Sequence, residues 1–443
     1  MAARSLGIVA DDLSGAAECA AHTLLRVSRS EVVLADASAA GEPGAVTTPR
    51  HAAVVTVDTD SRRLPADQAV RAVRAAAAFV ADAPVVVKKV DSLLRGHVAA
   101  EVGALAQVLQ RTPVVAVANP ALDRVVRDGV LHVAGTPLHD TDLWAVEPTA
   151  APTRVSEALH PLPTVLVPHT VIALGVDAVA DALAAAGQSG LVAVCDAVTE
   201  ADLEVVHAAA TRSGSPSLLV GSGALAAVAV RALPRSFDTA RDAGPGTPPA
   251  PYALRSVLLV LGTRATGAAA QIAQIRSIAS ATVLLQPGEL LADPTGTAAG
   301  LAALPTDAAV VVALDPAAPA DPSRSRALTE ALADAVAPLL DGYDAAFLSG
   351  GETARAVLDR LGVRSLEVVA EIETGTVVSR RPGGRLVVTR PGSFGDSGSL
   401  VRVATYLLPG SSPTAQTRPV ATSATTNAAN APSAPSATTE ENP

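Results

Sequence analysis

Lysine is almost missing from this chain of 443 residues: it occurs only at Lys88 and Lys89, and elsewhere arginine carries the fixed positive charge. Arginine replaces lysine wherever a broad planar fork will serve, so a surviving lysine pair marks a place that needs a compact ammonium on a flexible stem. Such a charge suits a small anion, a carboxylate or a phosphoryl oxygen, in a tight site. Aromatic residues are scarce as well, 2% of the chain against 49% hydrophobic. Ala, Val and Leu must therefore build the core, through many layered elements rather than a few large anchors. The only cysteines, Cys19 and Cys195, are far apart in sequence and match no metal-ligand spacing, which leaves reduced, buried structural thiols. No apolar run reaches the roughly 18 residues of a membrane helix, and the first residues lack the pattern of a cleavable signal. The expected location is the cytoplasm. A net charge of −10 argues against nucleic acid as a partner, since a binder would carry a basic stripe.

What is present is an alternation of short β-branched runs with Ala/Leu-rich stretches. Leu6–Ala10, Val32–Ala35, Ala52–Asp58, Pro84–Val90 and Pro113–Ala118 read as strands, with helices over Ser14–Leu25, Pro65–Val80 and Val98–Leu109. Strands follow at Leu191–Asp196 and Ser217–Gly221, with a helix near Glu200–Arg212 and another around Ala224–Leu233. Continuous apolar runs of this length fit strands buried on both faces, hence a parallel, helix-covered sheet. A second α/β unit starts at Ser256–Gly262. It continues through Ala308–Leu314, a helix near Ser323–Leu340, Ala345–Leu348, a helix over Thr353–Leu361, and strands at Leu366–Ile372 and Arg385–Thr389. The expected fold class is thus α/β, with two domains, each a mainly parallel helix-flanked sheet. Their expected bounds are residues 1–235 and 253–408, joined by a Pro/Gly-rich linker over 236–252. Residues 409–443 hold too little apolar surface to offset ordering entropy and read as a disordered tail.

In parallel α/β sheets, ligands sit beyond the carboxyl ends of the strands. Polar residues gather there: Asp11, Asp12 and Ser14 after the first strand, Asp58, Asp60, Ser61 and Arg62 after the third, Lys89, Asp91, Ser92 and Arg95 after the fourth, Asn119 after the fifth. Singly, each has a structural reading: Asp12 or Ser14 as a helix N-cap, Asn119-Pro120 as a turn, Asp60 as the partner of Arg62. Together they outline a polar small-molecule pocket. The second unit offers glycines instead. Gly350-Gly351-Glu352-Thr353 lies between a strand and a helix, where free N–H groups suit a phosphate. Gly392-Ser393-Phe394-Gly395 and Gly262-Thr263 are further loops of that kind. No Gly-x-x-x-x-Gly-Lys-Ser/Thr sequence occurs, which excludes a P-loop enzyme. No Gly-x-Gly-x-x-Gly follows the first strand, which argues against a dinucleotide dehydrogenase.

Taken in order, these segments resemble the four-carbon acid sugar kinases. Asp11-Asp12-Leu13-Ser14-Gly15-Ala16 is similar to that family's Asp-Asp-Leu-Thr-Gly-Ala, and Ser61-Arg62 to its Ser-Arg. Lys88-Lys89-Val90-Asp91-Ser92-Leu93-Leu94-Arg95-Gly96 is similar to Lys-Lys-x-Asp-Ser-x-Leu-Arg-Gly. Asn119-Pro120-Ala121, Asp128-Gly129 and Gly135-Thr136-Pro137-Leu138 follow the central pattern, Gly350–Ala354 its Gly-Gly-Asp/Glu-Thr-Ala, and Gly392–Gly395 its Gly-x-Phe-Gly. The resemblance spans roughly residues 5–408. It implies an ATP-dependent kinase for threonate, erythronate or a 3-oxo derivative, with Mg²⁺ alongside ATP and metal ligands unassigned. A homodimer is left open, as is a catalytically weakened binding protein of the same fold. Lys89 and Arg95 would hold the substrate carboxylate or steady the transferred phosphoryl group. Asp12 and Asp91 would accept from substrate hydroxyls, one of them acting as base, with Asp11, Ser14, Ser61, Arg62, Ser92 and Asn119 around the acid. The glycine loops, with Glu352, Thr353, Thr263 and Ser393, would hold the nucleotide. The chain departs from the pattern at Arg390-Pro391, where Lys-Ser is usual, and proline removes an N–H donor. The usual Gly-Arg-Thr is shortened, so that Arg124 or Arg127 must stand in. Ala265 and Ala268 replace hydroxyl residues.

Overall fold

The computed structural model describes residues 4–27, 29–35, 53–145, 147, 149–212, 216–234, 252, 254–263, 267–319, 321–392 and 394–409. The expected linker, Tyr252 apart, and the expected tail beyond 409 lie outside these residues, as do Arg264, Ala265 and Ser393.

In chain order the strands are β1 Leu6–Ala10, β2 Ser30–Leu34, β3 Val54–Asp58, β4 Val85–Lys89, β5 Thr112–Ala116, β6 Arg124–Arg127, β7 Val130–Val133, β8 Thr136–Pro137 and β9 Thr164–Val167. They continue as β10 Val192–Cys195, β11 Ser217–Gly221, β12 Val257–Leu261, β13 Ala281–Leu285, β14 Ala309–Leu314, β15 Ala345–Ser349, β16 Ser365–Glu373, β17 Thr376–Arg380 and β18 Leu386–Arg390. Fifteen of them form one sheet in the order β13-β14-β12-β15-β18-β17-β16-β2-β3-β1-β4-β11-β5-β10-β9. From β2 to β9 every pairing is parallel, and so are those from β13 to β18. Between these blocks β18, β17, β16 and β2 run antiparallel, and β16 joins the halves by pairing Ser365 with Val33 and Val368 with Ser30. The mainly parallel, helix-covered α/β class is as expected; the seam that makes one sheet of two lies in contacts no local pattern shows.

The apolar runs are strands because both faces are covered. Ile8, Val9, Val86, Val87, Leu258, Leu259, Val311 and Val312 are fully buried, each contributing about 1.5–3 kcal/mol by leaving water. Both cysteines are free and buried. Several elements went unforeseen. β13 is half-buried and β17 is half of a tight hairpin, so neither shows the long apolar run that marks a central strand. Helices Val176–Gln188, Ala268–Ile275 and Ser399–Leu407 are short or alanine-rich. The segment Arg124–Pro137 forms a separate three-stranded antiparallel sheet. No helix among the described residues is long and apolar enough to cross a membrane.

Candidate functional site

Asp12 caps the helix Leu13–Thr23, its Oδ1 accepting from the Gly15 N–H at 3.2 Å. The capping expectation for Asp12 therefore holds, and the residue has a second partner besides. Arg62, from the loop after β3, donates from Nε to Asp11 Oδ2 at 2.8 Å and from Nη2 to Asp11 Oδ1 at 2.9 Å. The same Nη2 donates to Asp12 Oδ1 at 2.6 Å. Burial alone would raise the Asp11 carboxyl, but the Arg62 guanidinium outweighs it and holds the group below its usual range. Arg62 therefore bridges Asp11 and Asp12, not Asp60 as the sequence suggested. Asp60 faces Asp58, Glu352 and Asp359; burial and these like charges push its carboxyl well up.

The two lysines part company. Side chains alternate along a strand, so Lys88 points into the layer beneath the site and Lys89 toward it. Lys88 is fully buried, 2.7 Å from Glu101 Oε2 in an ion pair bent away from hydrogen-bond geometry, and it donates to the Lys89 carbonyl at 3.1 Å. Lys88 thus meets a carboxylate in a tight site, but one supplied by Glu101 of the protein itself rather than by a ligand. Lys89 meets Asp12 over Gly15: a Cβ on that glycine would lie 2.5 Å from Lys89 Nζ and 2.8 Å from Asp12 Oδ1. Burial works against its charge, yet Asp12, Asp11 and Glu18 overcome it and hold the ammonium protonated.

Asp91 is forked by Arg95, Nε to Oδ2 at 2.6 Å and Nη2 to Oδ1 at 3.0 Å. Burial would raise this carboxyl, but Arg62 and Arg95 drive it well below the carboxylate range. Ser92 accepts from Arg124, which senses both Asp91 and Arg95. Of the two arginines expected to stand in, Arg124 reaches the site edge and Arg127 stays exposed. Asn119 is buried at a turn, and Ser61 shares a 2.8 Å hydrogen bond with Thr59 rather than opening to the pocket.

The strand ends of the second unit are lined by glycines. The helix after β12 packs on one face of the sheet through Ile272 and Ile275, whereas the helices after β14 and β15 cover the other through Leu332, Val336 and Val357. Loops that part to opposite faces open a crevice at the strand ends. Gly262 sits against Thr353, and Gly392 against Thr263 and Gly350. Gly350 takes a φ of 97°, and a Cβ on Gly351 would lie 2.8 Å from both Asp12 Oδ2 and Ser14 Oγ. Only glycine allows that approach, which brings the start of the helix Gly351–Arg360 against the Asp12 carboxylate. The Ser14 hydroxyl beside it has no partner among the described residues. Glu352 turns outward to Arg63 at 3.1 Å, Gly395 packs on Ser399, and Ser393 lies outside the described residues.

Sequence reasoning missed Arg355. Buried one turn into that helix, it donates to Asp58 Oδ2 at 2.9 Å, to the Ala35 carbonyl, and to Asp359 Oδ2 at 3.0 Å, tying the glycine loop to β2 and β3. Its position directly after the Gly-Gly-Glu-Thr-Ala run was the only hint. Among the described residues, no group of three or more His, Cys, Asp or Glu is placed to hold a metal ion.

A family model described as a sugar-binding N-terminal domain matches residues 6–229, and one described as a nucleotide-binding C-terminal domain matches residues 258–400. A D-threonate kinase of Cupriavidus necator is 33% identical over 411 residues, covering 89% of this chain and 95% of its own. A 3-oxo-tetronate kinase of Methylobacterium radiotolerans is 30% identical over 421 residues, 88% and 96% of the two chains. A crystal structure from Salmonella typhimurium LT2 shares the fold, with a TM-score of 0.70 at 22% identity over 90% of this chain and 98% of that one.

Proposed function

The chain belongs to the four-carbon acid sugar kinase family, and we propose that it uses ATP to phosphorylate the terminal hydroxyl of a four-carbon sugar acid, D-threonate first among them. The observation that carries this reading is the contact of Asp12 and Ser14 with Gly351, which sets an acid-binding strand end directly against a phosphate-binding helix start. The acid is bound by the N-terminal unit, residues 1–235, and the nucleotide by the unit at 253–408. D-threonate is the acid in the name of the Cupriavidus necator relative, and threonate, erythronate and their 3-oxo forms differ only around the same hydroxyl chain.

Phosphoryl transfer needs positioning and charge neutralisation more than covalent help. Asp91 has both oxygens held by Arg95 and is a poor proton acceptor. Asp12 keeps Oδ2 toward Gly351 while Oδ1 serves Arg62 and Gly15, so Asp12 is the base. It takes the proton as the terminal oxygen bonds to the γ-phosphorus and the bond to ADP breaks. Lys89 steadies charge on the phosphoryl group in flight, and the guanidinium groups of Arg95 and Arg124 take the substrate carboxylate. The free N–H groups at Gly351 and Glu352 hold phosphate oxygens. Mg²⁺ bound with the nucleotide would supply charge neutralisation, and Asp12 is the carboxylate at Gly351 that could offer it an oxygen.

The test is ADP release from Mg-ATP against D- and L-threonate, D- and L-erythronate and the 3-oxo acids. Release dependent on D-threonate, with a phosphate monoester as product, is the expected result. ATP binding with no turnover on any of these acids would overturn the substrate assignment, and absence of ATP binding would overturn the kinase reading itself.

A further inference from the structure

Arg390, which stands where lysine is usual, does not reach the glycine crevice. Its side chain leaves the end of β18 toward the opposite layer, is 1% exposed, and lies 5.0 Å over the Phe347 ring. Nη1 donates to Ser399 at the start of the helix Ser399–Leu407, and Nη2 donates to Gln271 Oε1 at 2.7 Å. Burial lowers its pKa to about 10, still cationic at neutral pH. A guanidinium only donates, so Gln271 must turn its oxygen to Arg390 and its NH₂ the other way. That NH₂ donates to the carbonyls of Gly395 at 2.9 Å and Phe394 at 3.4 Å. Gly395 adopts a φ of 88°, and a Cβ there would lie 2.5 Å from Arg390 Nη1 and 2.3 Å from Ser399 Oγ. The loop therefore rests on the guanidinium at its trailing end.

In a trans peptide the N–H points opposite to the C=O. Holding the Phe394 and Gly395 carbonyls on Gln271 turns the Gly395 and Asp396 N–H groups away from the buried layer. Neither N–H donates to any acceptor among the described residues. Pro391, at the front of the same loop, has no N–H to offer. Among the described residues Gly392, Gly395, Asp396 and Ser397 keep undonated N–H groups in this loop, and the direction of the Gly395 and Asp396 pair is set from behind by Gln271.

Building on the kinase reading, we propose that Gln271, oriented by Arg390, is a positioning residue that presents the Gly395 and Asp396 N–H groups to the nucleotide's phosphates. The Lys-Ser pair is replaced here by a strut beneath the loop rather than by a new phosphate ligand. Two full-length variants test it. Gln271→Met removes both hydrogen-bond functions at similar volume. Gln271→Glu keeps the acceptor for Arg390, and so the fold, but places a carboxylate against the loop carbonyls.

Both variants are expected to raise the KM for ATP and the directly measured Kd for ADP by about tenfold, the scale of hydrogen bonds lost to a charged ligand. The KM for the acid should stay within about twofold, and the Tm of Gln271→Glu should match wild type. A change that merely loosened packing would lower Tm and active fraction but leave both KM values alone. Wild-type affinity for ADP in Gln271→Glu overturns the inference while leaving the kinase reading intact. Failure of the wild-type protein to bind ADP at all overturns both.

Discussion

The two sets of strand ends that meet at Gly351 use opposite chemistry. On the acid side the loops after β1, β3 and β4 end in ionised side chains, Asp11, Asp12, Arg62, Lys89, Asp91 and Arg95, that hold one another in place. On the nucleotide side the loops after β12, β15 and β18 end in Gly262, Gly350, Gly351 and Gly392, and the polar groups offered are backbone amides. A small acid with several hydroxyls needs shaped, directional side chains, and each such charge must be paired because it is buried. A polyphosphate needs many donors at short range, and bare backbone supplies them without a side chain in the way. Both sides rest on buried charge, the charged side on Lys88 and Glu101 and the glycine loop on Arg390 with Gln271; what differs is the chemistry they offer a ligand.

Removing the carboxylate that faces Gly351 should have the largest effect. Asp12→Asn is expected to lower kcat by about 10²–10⁴-fold, the usual contribution of a general base, with the KM for ATP changed less than threefold. A rate within tenfold of wild type would move the base elsewhere. Next comes the support under the charged side. Lys88→Met leaves Glu101 buried without its cation, and urea unfolding should show a loss of about 3–5 kcal/mol. Glu352→Gln, which breaks an exposed pair with Arg63, should change stability by less than about 0.5 kcal/mol. Equal costs for the two variants would mean that burial does not set the worth of these pairs.

The smallest effect concerns Asp60, at the seam between the sides. Its folded pKa lies above the unfolded value, so the folded state binds the proton more tightly and stability falls as pH rises from the unfolded pKa through the folded one. Asp60→Asn removes that penalty, and asparagine tolerates the φ of 47° found there. The variant should therefore have a higher Tm at pH 7–8, with the advantage fading as pH drops toward about 4. A lower Tm at pH 7 would mean that the ionised carboxylate is held by attraction.

Much of this was legible from residue order. Central strands such as Leu6–Ala10 and Ser217–Gly221 stand out because burial on both faces leaves an uninterrupted apolar run. The acid-side residues were legible because polar groups directly after such runs must lie at the carboxyl edge. The tandem lysines were misread as one anion site, although alternation along a strand already requires neighbours to part. Arg355 could not be found that way: its partner Asp58 is 297 residues away, and one arginine on an amphipathic helix looks like a solvated residue until the fold buries it. Nor could Arg390 be read as a strut, since its direction depends on Phe347, Gln271 and Ser399 from three other elements.

Residue order alone decides the α/β class, the location of chemistry at strand ends, and the division into a charged half and a glycine half. Each of these follows from local periodicity and from side-chain type, and none needs a distant partner. Tertiary structure alone decides that β16 pairs with β2, that Lys88 belongs to Glu101 while Lys89 belongs to the site, and that Asp12 rather than Asp91 keeps an oxygen free at Gly351. Those outcomes rest on packing and on competition among charges for partners, which exist only once segments hundreds of residues apart have been brought into contact.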